Sequence, residues 1–166
     1  MNDEQRYQQG IEVRTEVLGA AHVNRSIDNL NDFNADFQNF ISRFAWGEVW
    51  SRPGLPRHTR SLVTIAILLA LGREDELKMH LRACFNNGVT KDELKELILH
   101  SSLYAGLPAA NAAMHMAEAV FADLGIAPEK LNQKSSQTSN ATSDSTPNQT
   151  SEHTSNPDDN TPHNIP

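Results

Sequence analysis

The 166-residue chain has one cysteine, an excess of acidic over basic residues and no long apolar run, and each shortage excludes a class of protein. The lone thiol of Cys84 can form neither an intramolecular disulfide nor a zinc-binding thiolate cluster. The longest apolar run, residues 62–71, is interrupted by Thr64 and is too short to cross a bilayer. The N-terminus has neither the basic nor the apolar region of a signal peptide. We therefore expect a cytoplasmic protein that does not enter membranes.

Acidic residues outnumber basic residues in the whole chain and within residues 1–128. The formal net charge is −7 for all residues and −4 for residues 1–128. General nucleic-acid binding needs a basic face, so we do not expect this protein to bind nucleic acid. The sequence also has no Gly-rich phosphate loop, no Cys-x-x-Cys motif and no histidines at metal-ligand spacing, so we expect no metal.

Composition divides the chain into two parts. Residues 1–128 are rich in Leu, Ala, Phe and Ile, whereas residues 129–166 are almost entirely Ser, Thr, Asn, Gln, Asp and Pro. The second part has too little apolar surface to offset the entropy lost on ordering. We expect one helical domain over residues 1–128 and a disordered polar tail over residues 129–166.

Apolar residues recur every three or four positions through the first part, and no segment alternates as a strand would. This pattern predicts an all-α fold of about six helices with short connections. Thr90 and Glu93 form a predicted capping box, Gly88 a left-handed stop, and Pro108 suits the first turn of the last helix. The predicted helices cover residues 3–18, 27–44, 59–71, 74–87, 90–104 and 109–124.

Two of these segments carry expectations about burial. Segment 27–44 places Phe33, Phe37, Phe40 and Phe44 on one face, which predicts a stripe facing either the core or another subunit. Segment 59–71 is apolar on nearly every side, which predicts almost complete burial.

Glu76 and His80 are one helical turn apart at the predicted edge of the buried face of segment 74–87. A carboxylate beside an imidazole raises the pKa of the imidazole and orients it, which suits general acid–base chemistry near neutral pH. The alternative is a half-exposed helix pair that contributes only a few tenths of a kcal/mol.

Three arginines, Arg52, Arg57 and Arg60, flank a Pro/Gly turn that leads into the apolar segment 59–71. Guanidinium groups bind carboxylates through paired hydrogen bonds, so this cluster indicates a site for a small anion. The alternative is a set of solvated arginines, one of them paired with Glu48.

Two further positions are candidates for a site. Glu48 lies between Trp46 and Trp50, where it is either a site acid or the partner of an arginine. Tyr104 precedes a Gly-Leu-Pro turn and either offers its hydroxyl to a pocket or packs with that hydroxyl satisfied.

Several separate motifs resemble those of the carboxymuconolactone decarboxylase family, over roughly residues 5–126. They are Gly47-Glu48-Val49-Trp50-Ser51-Arg52-Pro53-Gly54-Leu55, Arg60-Ser61-Leu62-Val63-Thr64, Ala70-Leu71-Gly72-Arg73-Glu74-Asp75-Glu76-Leu77 with His80, Asn87-Gly88-Val89-Thr90 and Tyr104-Ala105-Gly106-Leu107-Pro108-Ala109-Ala110. The resemblance implies a helical bundle like that of the alkylhydroperoxidase D proteins, a homo-oligomer, commonly a hexamer, and no cofactor. The peroxidase relatives carry two cysteines where this chain has Arg73 and Glu76, so peroxidase chemistry is not expected.

The resemblance implies decarboxylation of a dianionic lactone, 4-carboxymuconolactone, to 3-oxoadipate enol-lactone and CO₂ in the β-ketoadipate (protocatechuate) pathway. For this reaction, the three arginines are suited to binding the dianionic substrate. His80 with Glu76 is suited to protonating a carbon atom of the substrate. Trp46 and Trp50 suit lining a poorly solvated pocket. Two alternatives stay open, namely a family member acting on another carboxylated lactone and a non-catalytic helical oligomer that binds a small anion.

Overall fold

The computed structural model describes residues 1–130, and every regular element within that range is helical. The all-α prediction is therefore confirmed, with seven α-helices where about six were expected. The predicted disordered tail, apart from its first two residues, lies outside the described residues. The helices are α1 Asp3–Leu18, α2 Ala20–Asp28, α3 Ala35–Phe40, α4 Arg57–Ala70, α5 Glu74–Ala83, α6 Lys91–Ala105 and α7 Leu107–Asp123, with a π-helical segment Ile41–Trp50 after α3 and a 3₁₀ turn Cys84–Asn87 after α5.

The described chain has two apolar cores. The larger lies among α4, α5, α6 and α7 around Ile65, Leu81 and Leu94, each no more than 1% exposed. The smaller lies among α1, α2 and the π-helical segment around Val17 and Trp46. Ala83 and Met79 of α5 pack into the smaller core, so α5 touches both. Helix α5 thus joins the two cores.

The π-helical segment lies directly against α1 because both carry a glycine where they meet. A Cβ atom on Gly10 would lie 1.8 Å from the carbonyl oxygen of Ser42, and one on Gly47 would lie 2.3 Å from that of Arg6. Only residues without a side chain permit backbones so close. The contact fixes the π-helical segment, and with it the two tryptophans it carries.

Local capping signals were predicted correctly. The Thr90 hydroxyl accepts from the Glu93 amide, while the Glu93 carboxylate accepts from the Thr90 amide, so the capping box is confirmed. Gly88 ends the 3₁₀ turn with a φ of +80°, and Pro108 lies in the first turn of α7.

The single helix predicted over residues 27–44 is wrong. Helix α2 ends at Asp28, and α3 begins only at Ala35. Asparagine side chains hold the intervening turn, because Asn31 accepts from the Asn34 amide and Asn34 donates to the Asn29 carbonyl. Such bonds satisfy backbone groups that a helix would otherwise pair.

One expectation about burial is corrected, and one of the two alternatives for the phenylalanine stripe is ruled out. Helix α4 buries one face through Ser61, Ile65 and Leu69, whereas Ile67 on the other side is 52% exposed. The phenylalanine stripe does not face the core of this chain, since Phe33 is 95% and Phe37 63% exposed.

No helix within residues 1–130 combines the length and apolar character that a membrane span requires. The same residues hold no group of three or more His, Cys, Asp or Glu side chains arranged to bind a metal ion.

Candidate active site

Three aromatic rings form a continuous stack between the π-helical segment and α5. The rings of Trp46 and Trp50 lie 5.1 Å apart at 29°, and Trp50 lies 6.3 Å from the His80 imidazole at 15°. Trp46 is only 6% exposed, and His80 is half-buried. The sequence placed all three residues in the site, but spacing alone did not predict that they stack.

Burial and, to a smaller extent, the nearby His22 lower the pKa of His80 to about 4, while Glu76 acts in the opposite direction. The predicted rise in the pKa of this imidazole is therefore wrong. Glu76 is exposed, and within residues 1–130 no hydrogen bond or ion pair joins it to His80. His80 is consequently neutral near pH 7 in the free protein.

His22, which was not among the predicted site residues, lies close enough to His80 and to two arginines for their charges to affect one another. Burial lowers the pKa of His22, and the positive charges of Arg14 and Arg25 lower it further. The charges of Arg14 in α1 and Arg25 in α2 thus act on His22, and His22 in turn acts on His80 in α5. Their separation in sequence, from Arg14 to His80, gave no sign of this grouping.

Arg14 is a buried arginine without a carboxylate partner among residues 1–130. It is 7% exposed, and its Nη1 and Nη2 donate to the neutral oxygens of Gln38, at 3.1 Å, and Ser26, at 3.3 Å. Its Nε is buried and has no partner within the described residues. Burial lowers the pKa of this guanidinium, partly offset by Tyr7.

A signal for Arg14 was present in the sequence. The buried positions of α1 are 10, 13, 14, 17 and 18, which is the spacing of one helix face. An arginine therefore occupies a position of the apolar stripe, where a charge is costly unless it is paired.

Two small cavities adjoin this group. A cavity of about 300 Å³ is lined entirely by polar residues: His22, Arg25, Ser26, Asn29, Asn34 and Gln38. A second, of about 250 Å³, shares His22 and Arg25 and reaches Met79 and Ala83 of α5. His22 and Arg25 therefore lie between the polar cavity and the helix that carries His80.

The three predicted arginines differ in their surroundings. Arg57 forms an ion pair with Glu16 of α1, and Arg52 is exposed. Arg60 donates from Nη2 to the Arg52 carbonyl at 3.2 Å, and its Nε is buried without a partner in residues 1–130. Of the three, Arg60 has guanidinium donors inside the fold that are not committed to a carboxylate of residues 1–130.

Glu48 and Tyr104 are both exposed. Glu48 is exposed and accepts from Arg6 Nε at 2.7 Å, so its partner is an arginine, though none of the three predicted ones. Tyr104 is 81% exposed at the end of α6, with its ring 5.2 Å from that of His100.

These features define an all-helical protein with a half-buried histidine stacked on tryptophan. Residues 35–119 match the model of the carboxymuconolactone decarboxylase family, and the chain belongs to that family.

The chain is similar to named decarboxylases over most of its folded length. It is 89% identical over 133 residues to a 4-carboxymuconolactone decarboxylase of Acinetobacter baylyi, covering 80% of this chain and 99% of the relative. It is 38% identical over 118 residues to a nitrosuccinic acid decarboxylase of Metarhizium robertsii, covering 71% of this chain and 82% of the relative. A 48-residue 4-carboxymuconolactone decarboxylase sequence of Pseudomonas putida is 52% identical over its full length, which covers 29% of this chain.

Proposed function

We propose that the chain decarboxylates 4-carboxymuconolactone to 3-oxoadipate enol-lactone and CO₂ in the β-ketoadipate (protocatechuate) pathway. The observation that carries this proposal is the 89% identity to a relative of that name, over nearly the whole of the relative. Within the site, the stack of Trp46, Trp50 and His80 beside a cationic group supports it, because the substrate is a dianion.

The chemistry makes three demands on the protein. Breaking the bond to the departing carboxylate leaves an electron pair conjugated to the lactone carbonyl, so the ring itself accepts the electrons. The protein must hold the dianion, stabilise the oxygen on which negative charge develops, and deliver a proton to carbon. A poorly solvated surface around the departing carboxylate favours its loss, and the tryptophans offer such a surface.

His80 is the proton donor in this proposal, and its low pKa adds a condition. The free imidazole is neutral near pH 7, whereas a donor must carry the proton. Two substrate carboxylates close to the ring favour the imidazolium and raise its pKa. Substrate binding thus prepares the acid, and binding should take up a proton from solution. Glu76 adds a weaker effect of the same sign.

The substrate carboxylates require cationic donors, and Arg60 fits this role better than its two neighbours. Its buried Nε is unpartnered within residues 1–130, whereas Arg57 is already paired with Glu16. Arg52 lies at the outer end of the same turn and contacts Arg60 through its carbonyl. Glu48 and Tyr104 remain secondary candidates, because both are exposed in the single chain.

The same proposal includes a homo-oligomer, hexameric by resemblance, in the cytoplasm. The exposed phenylalanines of α3 and the turn before it support self-association, since a surface stripe of this kind is seldom left open to solvent.

A spectrophotometric turnover assay with 4-carboxymuconolactone tests the proposal. We expect turnover at ordinary enzyme rates, on the order of 1–10³ s⁻¹. Turnover of nitrosuccinate in its place would favour the alternative of another acid substrate, to which the relative of that name lends support. A folded protein that turns over neither acid would favour a non-catalytic anion-binding oligomer.

A further inference from the structure

Arg14 is a buried charge with N–H donors that residues 1–130 leave unpaired, as expected for a residue that binds a ligand. A guanidinium carries five N–H donors, and residues 1–130 accept from two of them, both through neutral oxygens. Burying an arginine without a countercharge is costly, and natural folds ordinarily supply a carboxylate. Here the described residues supply no carboxylate to Arg14, although many of their acidic side chains are exposed.

The two oxygens that hold Arg14 belong to residues that also line the polar cavity. Ser26 accepts from Nη2 and Gln38 from Nη1, and both side chains form part of the cavity wall. The guanidinium therefore lies directly behind that wall. Arg25 and His22 line the same cavity from α2, which adds one permanent positive charge and one ionisable group.

No acidic side chain lines this cavity, whereas the neighbouring one contains Asp75 together with Lys78 and Arg82. Three asparagine or glutamine amides, from Asn29, Asn34 and Gln38, complete the lining. A wall of amides, a hydroxyl and cations is suited to an anion and unsuited to a metal ion.

We propose that this cavity binds one carboxylate of a small dicarboxylate ligand, with Arg14 as its buried countercharge and Arg25 and Ser26 as further donors. The carboxylate competes with the Gln38 amide oxygen for Arg14 Nη1. Identification of that ligand as the lactone rests on the proposed function; binding of a carboxylate does not. Arg14 is then a binding residue.

The melting temperature of ligand-free Arg14→Met and its affinity for succinate distinguish a binding role of Arg14 from a structural one. If Arg14 serves a ligand, replacing an unpaired buried charge by an apolar side chain of similar length leaves the melting temperature unchanged or raises it. The same variant should bind succinate, a stable dicarboxylate probe, about 10–100-fold more weakly than the wild type by calorimetric titration. Uncharged succinamide should bind neither protein.

Gln38→Glu is the second variant, because it keeps the shape of the side chain and supplies a carboxylate within the chain. It should raise the melting temperature and weaken succinate binding at least about tenfold, since the new carboxylate occupies Arg14. Arg43→Met is the matched control, because Arg43 is already paired with Asp3. We expect Arg43→Met to bind succinate with the affinity of the wild type.

Failure to detect succinate binding to the wild type would overturn the inference, as would wild-type affinity in folded Arg14→Met or in Gln38→Glu. A lower melting temperature with unchanged affinity in Arg14→Met would assign the residue to the core. Turnover of 4-carboxymuconolactone is measured separately on the wild type and on Arg14→Met. Absent turnover with Arg14-dependent succinate binding rejects the proposed function alone, whereas turnover with succinate binding that does not depend on Arg14 rejects the inference alone. An unaltered KM in Arg14→Met would reject only the identification of the ligand as the lactone.

Discussion

At the scale of single residues, His80 and Arg14 illustrate opposite limits of what a sequence reveals. His80 was a candidate because a glutamate lies one turn before it, yet that glutamate is exposed and a tryptophan ring determines the environment of the imidazole. Arg14 was overlooked although it interrupts an apolar helix face, which is a local signal. Residue type and spacing thus identify candidates, while the sign of a pKa shift depends on burial that only the fold provides.

Replacing His80 by alanine tests its role in catalysis. We expect kcat for 4-carboxymuconolactone to fall by about 10²–10⁴, the usual contribution of general acid–base catalysis. His115→Ala is a suitable control, because His115 is exposed on α7 beside Glu118. Steady-state kinetics would give the comparison, and near-wild-type kcat in folded His80→Ala would remove this residue as the proton donor.

The low pKa of His80 also predicts how stability depends on pH. Its folded pKa is about 4, below the reference value of 6.5, so between these values the unfolded chain binds the proton and the folded chain does not. Stability should therefore fall as pH decreases through this window, by at most on the order of 3 kcal/mol from this group.

His80→Gln removes that titration while retaining a polar side chain. Urea unfolding at pH 7 and pH 4.5 should show a smaller loss of free energy of unfolding in the variant than in the wild type. Carboxylates titrate in the same range in both proteins, so the difference between them isolates His80. Parallel losses in the two proteins would contradict the low pKa.

At the scale of elements, local chemistry determined which boundaries were predictable. The start of α6 followed from its capping residue Thr90, whose effect acts within one turn. The break at residues 29–34 was missed, although its asparagines are a recognised turn signal. The π-helical segment was not predictable, because its apolar spacing matches that of an α-helix and its geometry depends on contact with α1.

The contact between α1 and the π-helical segment makes Gly10 an informative position. A methyl group there would overlap the Ser42 carbonyl, so Gly10→Ala should lower the free energy of unfolding by about 1–3 kcal/mol despite alanine's better helix propensity. Gly54→Ala is the matched control, since a Cβ on Gly54 meets no atom within 4 Å. Urea unfolding at pH 7 would measure both, and equal stability of the two variants would refute the close approach.

At the scale of the whole molecule, the sequence resemblance identified the family and the helical fold. The single chain nevertheless leaves several large apolar side chains exposed. Phe33, Phe37 and Phe40 are all more than half exposed, as are Leu103 and Tyr104 at the end of α6. Apolar surface of this extent is typical of proteins that associate. Tyr104, proposed for the site from its motif, faces solvent in the chain described here. Contact with a second copy of the chain is the simplest way to cover this apolar surface.

The phenylalanine stripe offers a direct test of association. We expect the wild type to sediment as a homo-oligomer at micromolar concentration, and Phe37→Glu to sediment as smaller species, because a buried charge at a subunit contact opposes association. Phe37 is 63% exposed in the single chain, so its replacement should leave the fold of that chain intact, as circular dichroism would verify. Lys95→Glu is the control, since Lys95 is an exposed charge of α6 and its replacement changes charge without removing apolar surface. A compact wild-type monomer would reject association altogether. An oligomer unaffected by Phe37→Glu would assign the contact to another surface, with the exposed apolar end of α6 as the next to examine.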